Sequence, residues 1–166
     1  MSHKIAVLSK VLSIASSLFI VVIPITVISI WLLGSEETLL SGFSRYWFIP
    51  AGILFHEGTL TQWVRVFSAG ISLLANLPLL VALWQIRRLF QLYGNLDLFQ
   101  AEAASRMKKF AAYVVGFAIL QPFAGGALSM VTSMNNPPGQ HVLSISIADT
   151  DLATIFVGIT MIVIAY

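Results

Sequence analysis

The sequence contains no cysteine. That excludes disulfides, thiolate-ligated zinc, iron–sulfur clusters and thiol nucleophiles, and it leaves the redox compartment open. Charge is also scarce. Asp, Glu, Lys and Arg make up 10% of the chain, against about 25% in an ordinary soluble domain. A surface so poor in charge argues against a soluble enzyme and against a nucleic-acid-binding domain. No Asp, Glu, Lys, Arg or His falls inside the long apolar runs, although such groups mark proton relays and ion paths in membranes. His3, His56 and His141 all lie outside those runs, which argues against a haem held between spans. His56-Glu57, and His141 with Asp149 and Asp151, match no metal-ligand spacing and read as solvated loop groups. The expectation is a non-enzyme with no catalytic residues, no metal site and no cofactor.

What the chain has instead is apolar length. Hydrophobic residues make up 58% of its 166 residues, and the mean hydropathy is +0.90. Uncharged runs extend from Val11 to Leu33, Val66 to Trp84, Phe110 to Val131 and Leu152 to Tyr166. At ~1.5 Å per helical residue, the first three cover a hydrocarbon core of ~30 Å. The first continues through Ile30-Trp31-Leu32-Leu33 with no small-x-small site, so it reads as a retained span and not a cleaved signal peptide. The last run is too short to cross, which predicts that the span continues past Tyr166. The fold expected is an all-α membrane protein, one domain over 1–166. Its four transmembrane helices, at about 8–33, 62–92, 106–133 and 151–166, form an antiparallel bundle. Thr59-x-x-Gln62 has capping-box spacing for the second helix, and Tyr93-Gly94-Asn95 ends it. Asn135-Asn136-Pro137-Pro138-Gly139 stops the third.

Lys4, Lys10, Arg87, Arg88, Arg106, Lys108 and Lys109 fall on one side of these spans, leaving only Arg45 and Arg65 of the nine basic residues on the other. Basic loops stay in the cytoplasm, so both termini are expected inside. Of the outer segments, 46–55 is apolar enough to lie in the membrane interface or over the bundle mouth. In the other, Leu143, Ile145 and Ile147 alternate with Ser144, Ser146 and Ala148, the period of a short β segment. Asp149, Thr150 or Asp151 then caps the fourth helix.

Polar residues recur every four positions: Ser9, Ser13 and Ser17 on the first helix, Ser68, Ser72 and Asn76 on the second. Such stripes of small residues read as helix–helix seams, with a polar crevice for a ligand as the other reading. Pro24, Pro78 and Pro122 each remove one helical hydrogen bond. Gln121-Pro122 with Gly125-Gly126 is the best candidate for an opened backbone, although packing explains it as well.

The stretch from Trp84 to Phe110 combines basic residues with an apolar turn. Positive-inside anchoring explains Arg87, Arg88, Arg106, Lys108 and Lys109. It does not explain Leu92, Tyr93, Leu98 and Phe99, which fit the docking of a tail, a lipid or a partner. Arg87-Arg88-Leu89-Phe90-x-Leu92-Tyr93, then Gly94, Phe99 and Glu102, then Arg106-x-Lys108-Lys109, resemble a bacterial family called domain of unknown function 2975. Leu143–Ile147 followed by Asp151-Leu152 resembles the same family's last outer loop and span. Ala101 and Ala103 depart from its Pro and Asn. The resemblance covers about half the chain, from Trp84 onward. It implies four spans, a short charged tail beyond Tyr166, and a membrane partner for a small helix-turn-helix regulator. It carries over no catalytic residue.

The function expected is therefore that of an accessory or regulatory subunit of the bacterial inner membrane. It contacts lipid, and through loop 87–109 a protein partner, without touching nucleic acid itself. The alternative is a small transporter or channel formed by homo-oligomerisation.

Overall fold

The computed structural model describes residues 2–35, 60–94 and 101–166. They form four α-helices: α1 Ser2–Leu33, α2 Gln62–Gly94, α3 Ala101–Thr132 and α4 Asp149–Ile164. Within them Ala6–Leu33, Gln62–Tyr93 and Ala101–Thr132 are long and apolar enough to cross a membrane, so the chain is a membrane protein. α4 has 16 residues, about 24 Å, which is short of the ~30 Å hydrocarbon thickness. The expected roles of 46–55, His56-Glu57, Thr59, Leu98 and Phe99 lie outside the described residues.

α1 shows how an apolar helix chooses its faces when lipid is the solvent. Val7, Val11, Ile14, Leu18, Val21 and Ile25 are exposed, while Ser9, Ser13, Ser16, Ile23, Val27 and Trp31 are buried. Both series advance in steps that keep to one side of a helix. The lipid side is bulky and apolar, whereas the packed side begins with serine. Small residues let backbones approach where lipid tails are as apolar as leucine. The core joins Ile23, Val27 and Trp31 of α1 to Ala69 and Leu79 of α2 and to Phe117 and Leu128 of α3.

The helices pack in chain order, α1 on α2, α2 on α3 and α3 on α4, and no pairing of comparable extent joins α1 to α4. The expected bundle is, among the described residues, an open series. Neighbours run antiparallel. Gln85 of α2 meets Arg106 of α3 at one end, and Thr61 meets Asn135 at the other. Gly158 is the buried residue of α4, where a Cβ would lie 2.5 Å from Val115 Cγ2 and 3.3 Å from the Ala111 carbonyl. Pro24, Pro78 and Pro122 sit inside continuous helices.

The segment expected as a β-strand is not one: no strand occurs among the described residues. A strand needs a second strand to pair with, and here serine side chains take that place. Ser144 N–H donates to Ser129 Oγ at 2.9 Å, and Val142 N–H donates to Ser133 Oγ at 3.1 Å. Four residues of helix rise about 6 Å, and two residues of extended chain advance about 6.6 Å. Hydroxyls at i and i+4 therefore match N–H groups at j and j+2. One turn back, Gly126 has no side chain; a Cβ there would lie 2.9 Å from Ile145 Cγ1. The α4 start follows at Ala148, whose N–H donates to Asp151 Oδ2 at 3.0 Å. Of the three residues expected to cap, Asp151 supplies the bond, from inside the first turn.

Candidate functional site

The first locus is the polar seam where α2 meets its neighbours. Ser68, Ser72 and Asn76 are fully buried. A four-residue step drifts about 40° around a helix of 3.6 residues per turn. α2 has a packed neighbour on each of two sides, so all three stay inside despite the drift. α1 has its main partner, among the described helices, in α2, and there the four-step series leaves the contact: Ser9 and Ser13 are buried, Ser17 is half-buried, and Ser16 is buried in its place. Ser17 Oγ donates to the Ser13 carbonyl at 2.8 Å.

Trp31 Nε1–H donates to Ser72 Oγ at 2.9 Å, and Asn76 Nδ2 donates to the Ser72 carbonyl at 2.7 Å. Gln121 and Pro122 of α3 are buried. Gln121 lies one turn from Phe117 on the face that carries the core. Gln121 Nε2 and Ser68 Oγ have no hydrogen-bond partner among the described residues. Trp31 escaped the reading of the sequence. Its only signal was its position four residues after Val27. At the end of this seam the Arg65 guanidinium donates to the Gly34 carbonyl at 2.7 Å and reaches the Trp31 carbonyl at 3.4 Å. α1 has no basic residue in its last turn, and Arg65 serves its exposed carbonyls from the next helix.

The second locus is the basic end of α2 and α3. Arg87 and Arg88 follow Trp84 by three and four residues, hence on one helix face. Their guanidinium carbons lie 5.5 Å and 5.2 Å from the Trp84 ring centroid, within cation–π range. Arg106 is committed to Glu102 at 2.6 Å and also reaches Gln85 Oε1 at 3.4 Å. Lys108 Nζ lies 3.2 Å from the Tyr166 ring centroid, and Lys109 is exposed. Tyr93 is half-buried in the last turn of α2. Phe99 lies outside the described residues, so the structure brings Tyr93 to this end without showing the whole apolar turn. Among the described residues, the one ion pair is Arg106–Glu102.

Chemically, the two loci differ. The seam offers buried hydroxyl, amide and indole groups; the basic end offers cations with aromatic support. Among the described residues, no three of His, Cys, Asp and Glu converge as a metal site.

A family model described as a protein of unknown function (DUF2975) matches residues 52–166. The match thus reaches back through the whole of α2, farther than the resemblance legible from Trp84 onward. No curated protein and no solved structure matches the chain.

Proposed function

The chain belongs to the protein family of unknown function DUF2975, and from that premise we propose that it is a non-enzymatic accessory or regulatory subunit docking a partner at its basic end. The observation that carries this reading is where the uncommitted polar chemistry lies. The spans hold no charged side chain in their apolar runs. At the basic end, by contrast, Arg87, Arg88, Lys108 and Lys109 form no ion pair among the described residues, and Tyr93 lies in the last turn of the helix that carries the two arginines. The partner is a cytoplasmic or membrane protein, with a small helix-turn-helix regulator as the first to try.

In this reading the membrane is the bacterial inner membrane. α4 forms part of a fourth span, and the basic end faces the cytoplasm, as the distribution of Lys and Arg favours. A reporter active only outside the cytoplasm, fused at position 140, is expected to be active. Silence there, with activity from a fusion at Gly94, refutes the orientation.

Docking is tested by co-purification from membranes. Substituting Tyr93→Ser together with Phe99→Ser is expected to abolish recovery of the bound protein while insertion is unchanged. Full recovery refutes docking at this turn. The second reading, a transporter or channel built by homo-oligomerisation, draws on the unpartnered Gln121 Nε2 and Ser68 Oγ. It requires solute flux into vesicles that falls in Gln121→Leu.

A further inference from the structure

We infer that Trp84, Arg87 and Arg88 form a binding site for the phosphate of an anionic phospholipid headgroup, which takes up two of the guanidiniums at the basic end and leaves Tyr93, Lys108 and Lys109 to the docking of a protein partner. Trp84 closes the uncharged run that begins at Val66, and its indole is part-exposed. That is the depth at which an indole has its apolar body among acyl chains and its polar edge among headgroups. Both guanidiniums approach this one ring, at 5.5 Å and 5.2 Å from the centroid. Two guanidiniums held beside one ring repel each other, and an anion between them is attracted by both. The N–H edges of a guanidinium carry the forked donors that suit a phosphate. Arg87 Nε is buried without an acceptor among the described residues, which leaves the terminal N–H groups of the two guanidiniums to meet the phosphate. Glu102, the acid placed at this end among the described residues, is held by Arg106. Positive-inside attraction demands only charge near the leaflet. Two guanidiniums on one indole add fixed geometry, and that separates a site from a general attraction.

The test is native mass spectrometry of the full chain in mixed micelles holding equal amounts of phosphatidylglycerol and phosphatidylcholine. The unmodified protein is expected to retain phosphatidylglycerol preferentially. Arg87→Gln with Arg88→Gln lowers that retention by about tenfold or more, since each basic residue near an anionic surface changes association about fivefold. Lys4→Gln with Lys10→Gln removes the same charge from the same side of the membrane, loses only the general attraction, and is expected to cost severalfold less retention than the arginine pair. Arg87→Lys with Arg88→Lys keeps the charge but loses the planar fork, and retention falls severalfold. Circular dichroism confirms that each variant keeps its helices; should the glutamine pair lose them, the lysine pair decides. Equal losses in the arginine and Lys4/Lys10 pairs reduce the effect to general attraction and overturn the proposal. Retention unchanged in both arginine pairs also overturns it, assigning the guanidiniums to a carboxylate of the chain itself, such as Asp97, or to a protein. Because Tyr93 and Phe99 are untouched, failure here leaves the co-purification result standing, and the reverse holds.

Discussion

Replacing Ser129 and Ser133 by alanine removes the two hydroxyls that hold the extended segment on α3. The N–H groups of Ser144 and Val142 then lose acceptors at 2.9 Å and 3.1 Å. Both amides are part-buried, so losing the acceptor costs about 0.5–1.5 kcal/mol, the net worth of an ordinary hydrogen bond. The helix itself is not weakened, since alanine exceeds serine in helix propensity by a few tenths of a kcal/mol. The Ser129 hydroxyl also donates to the Gly126 carbonyl at 2.8 Å, but that carbonyl lies inside a continuous helix and is not stranded. The change therefore falls on the segment. Hydrogen–deuterium exchange of the Val142 and Ser144 amides reads it directly. At about 1.4 kcal/mol per factor of ten, each amide is expected to exchange roughly two- to tenfold faster. The single substitutions should separate, Ser129→Ala affecting mainly Ser144 and Ser133→Ala mainly Val142. Thr132→Val is the control, because its hydroxyl bonds only to the Leu128 and Ser129 carbonyls of α3 itself. Unchanged protection at both amides in the double variant refutes the match of helical i, i+4 hydroxyls to extended j, j+2 amides.

Gly158→Ala places a Cβ 2.5 Å from Val115 Cγ2 and 3.3 Å from the Ala111 carbonyl, so thermal denaturation in detergent should show a loss of about 1–3 kcal/mol; Gly116→Ala, with nothing within 4 Å, should be neutral or stabilising. Trp31→Phe strands the Ser72 hydroxyl, and a double-mutant cycle with Ser72→Ala should give a coupling of about 0.5–2 kcal/mol. Arg65→Met leaves the Gly34 carbonyl without its charged donor, and unfolding should show a cost of about 1.5–3 kcal/mol.

The sequence makes the membrane class plain because hydropathy acts locally: the apolar runs at Val11–Leu33, Val66–Trp84 and Phe110–Val131 all lie within helices. Helix ends were legible where backbone chemistry is local, as at Gly94, where α2 ends, and at the Asn135–Gly139 turn after α3, with Gly139 at φ +92°. Pairing was not legible. The alternation around Leu143–Ile147 reports an extended chain, but period alone does not say whether strand or side chain satisfies its N–H groups. The serine series on α1 and α2 have the same spacing yet different outcomes, because the number of packed neighbours is a tertiary fact. At the basic end, Trp84, Arg87 and Arg88 were visible as residue types, and their convergence on one ring followed only from the helix through all three.

The open series has a consequence for how the protein is made. Among the described helices, each finds its main packing partner in the one just before or just after it in the chain. Contacts between consecutive helices close intervening stretches of 28, 6 and 16 residues, each far shorter than the chain that a return of α4 to α1 would close, and closure entropy grows with that length. During synthesis α2 can settle on α1 before α3 has left the ribosome, and α3 can settle on α2 before the segment carrying Ser144 arrives to meet Ser129. Among the described helices, none waits for the last one to return before meeting its main partner. The Ser68, Ser72 and Asn76 row is half covered when the first hairpin forms and fully covered with the second. Assembly then proceeds as a succession of hairpins, and a pause or truncation after α3 leaves the α1–α2–α3 core already in place.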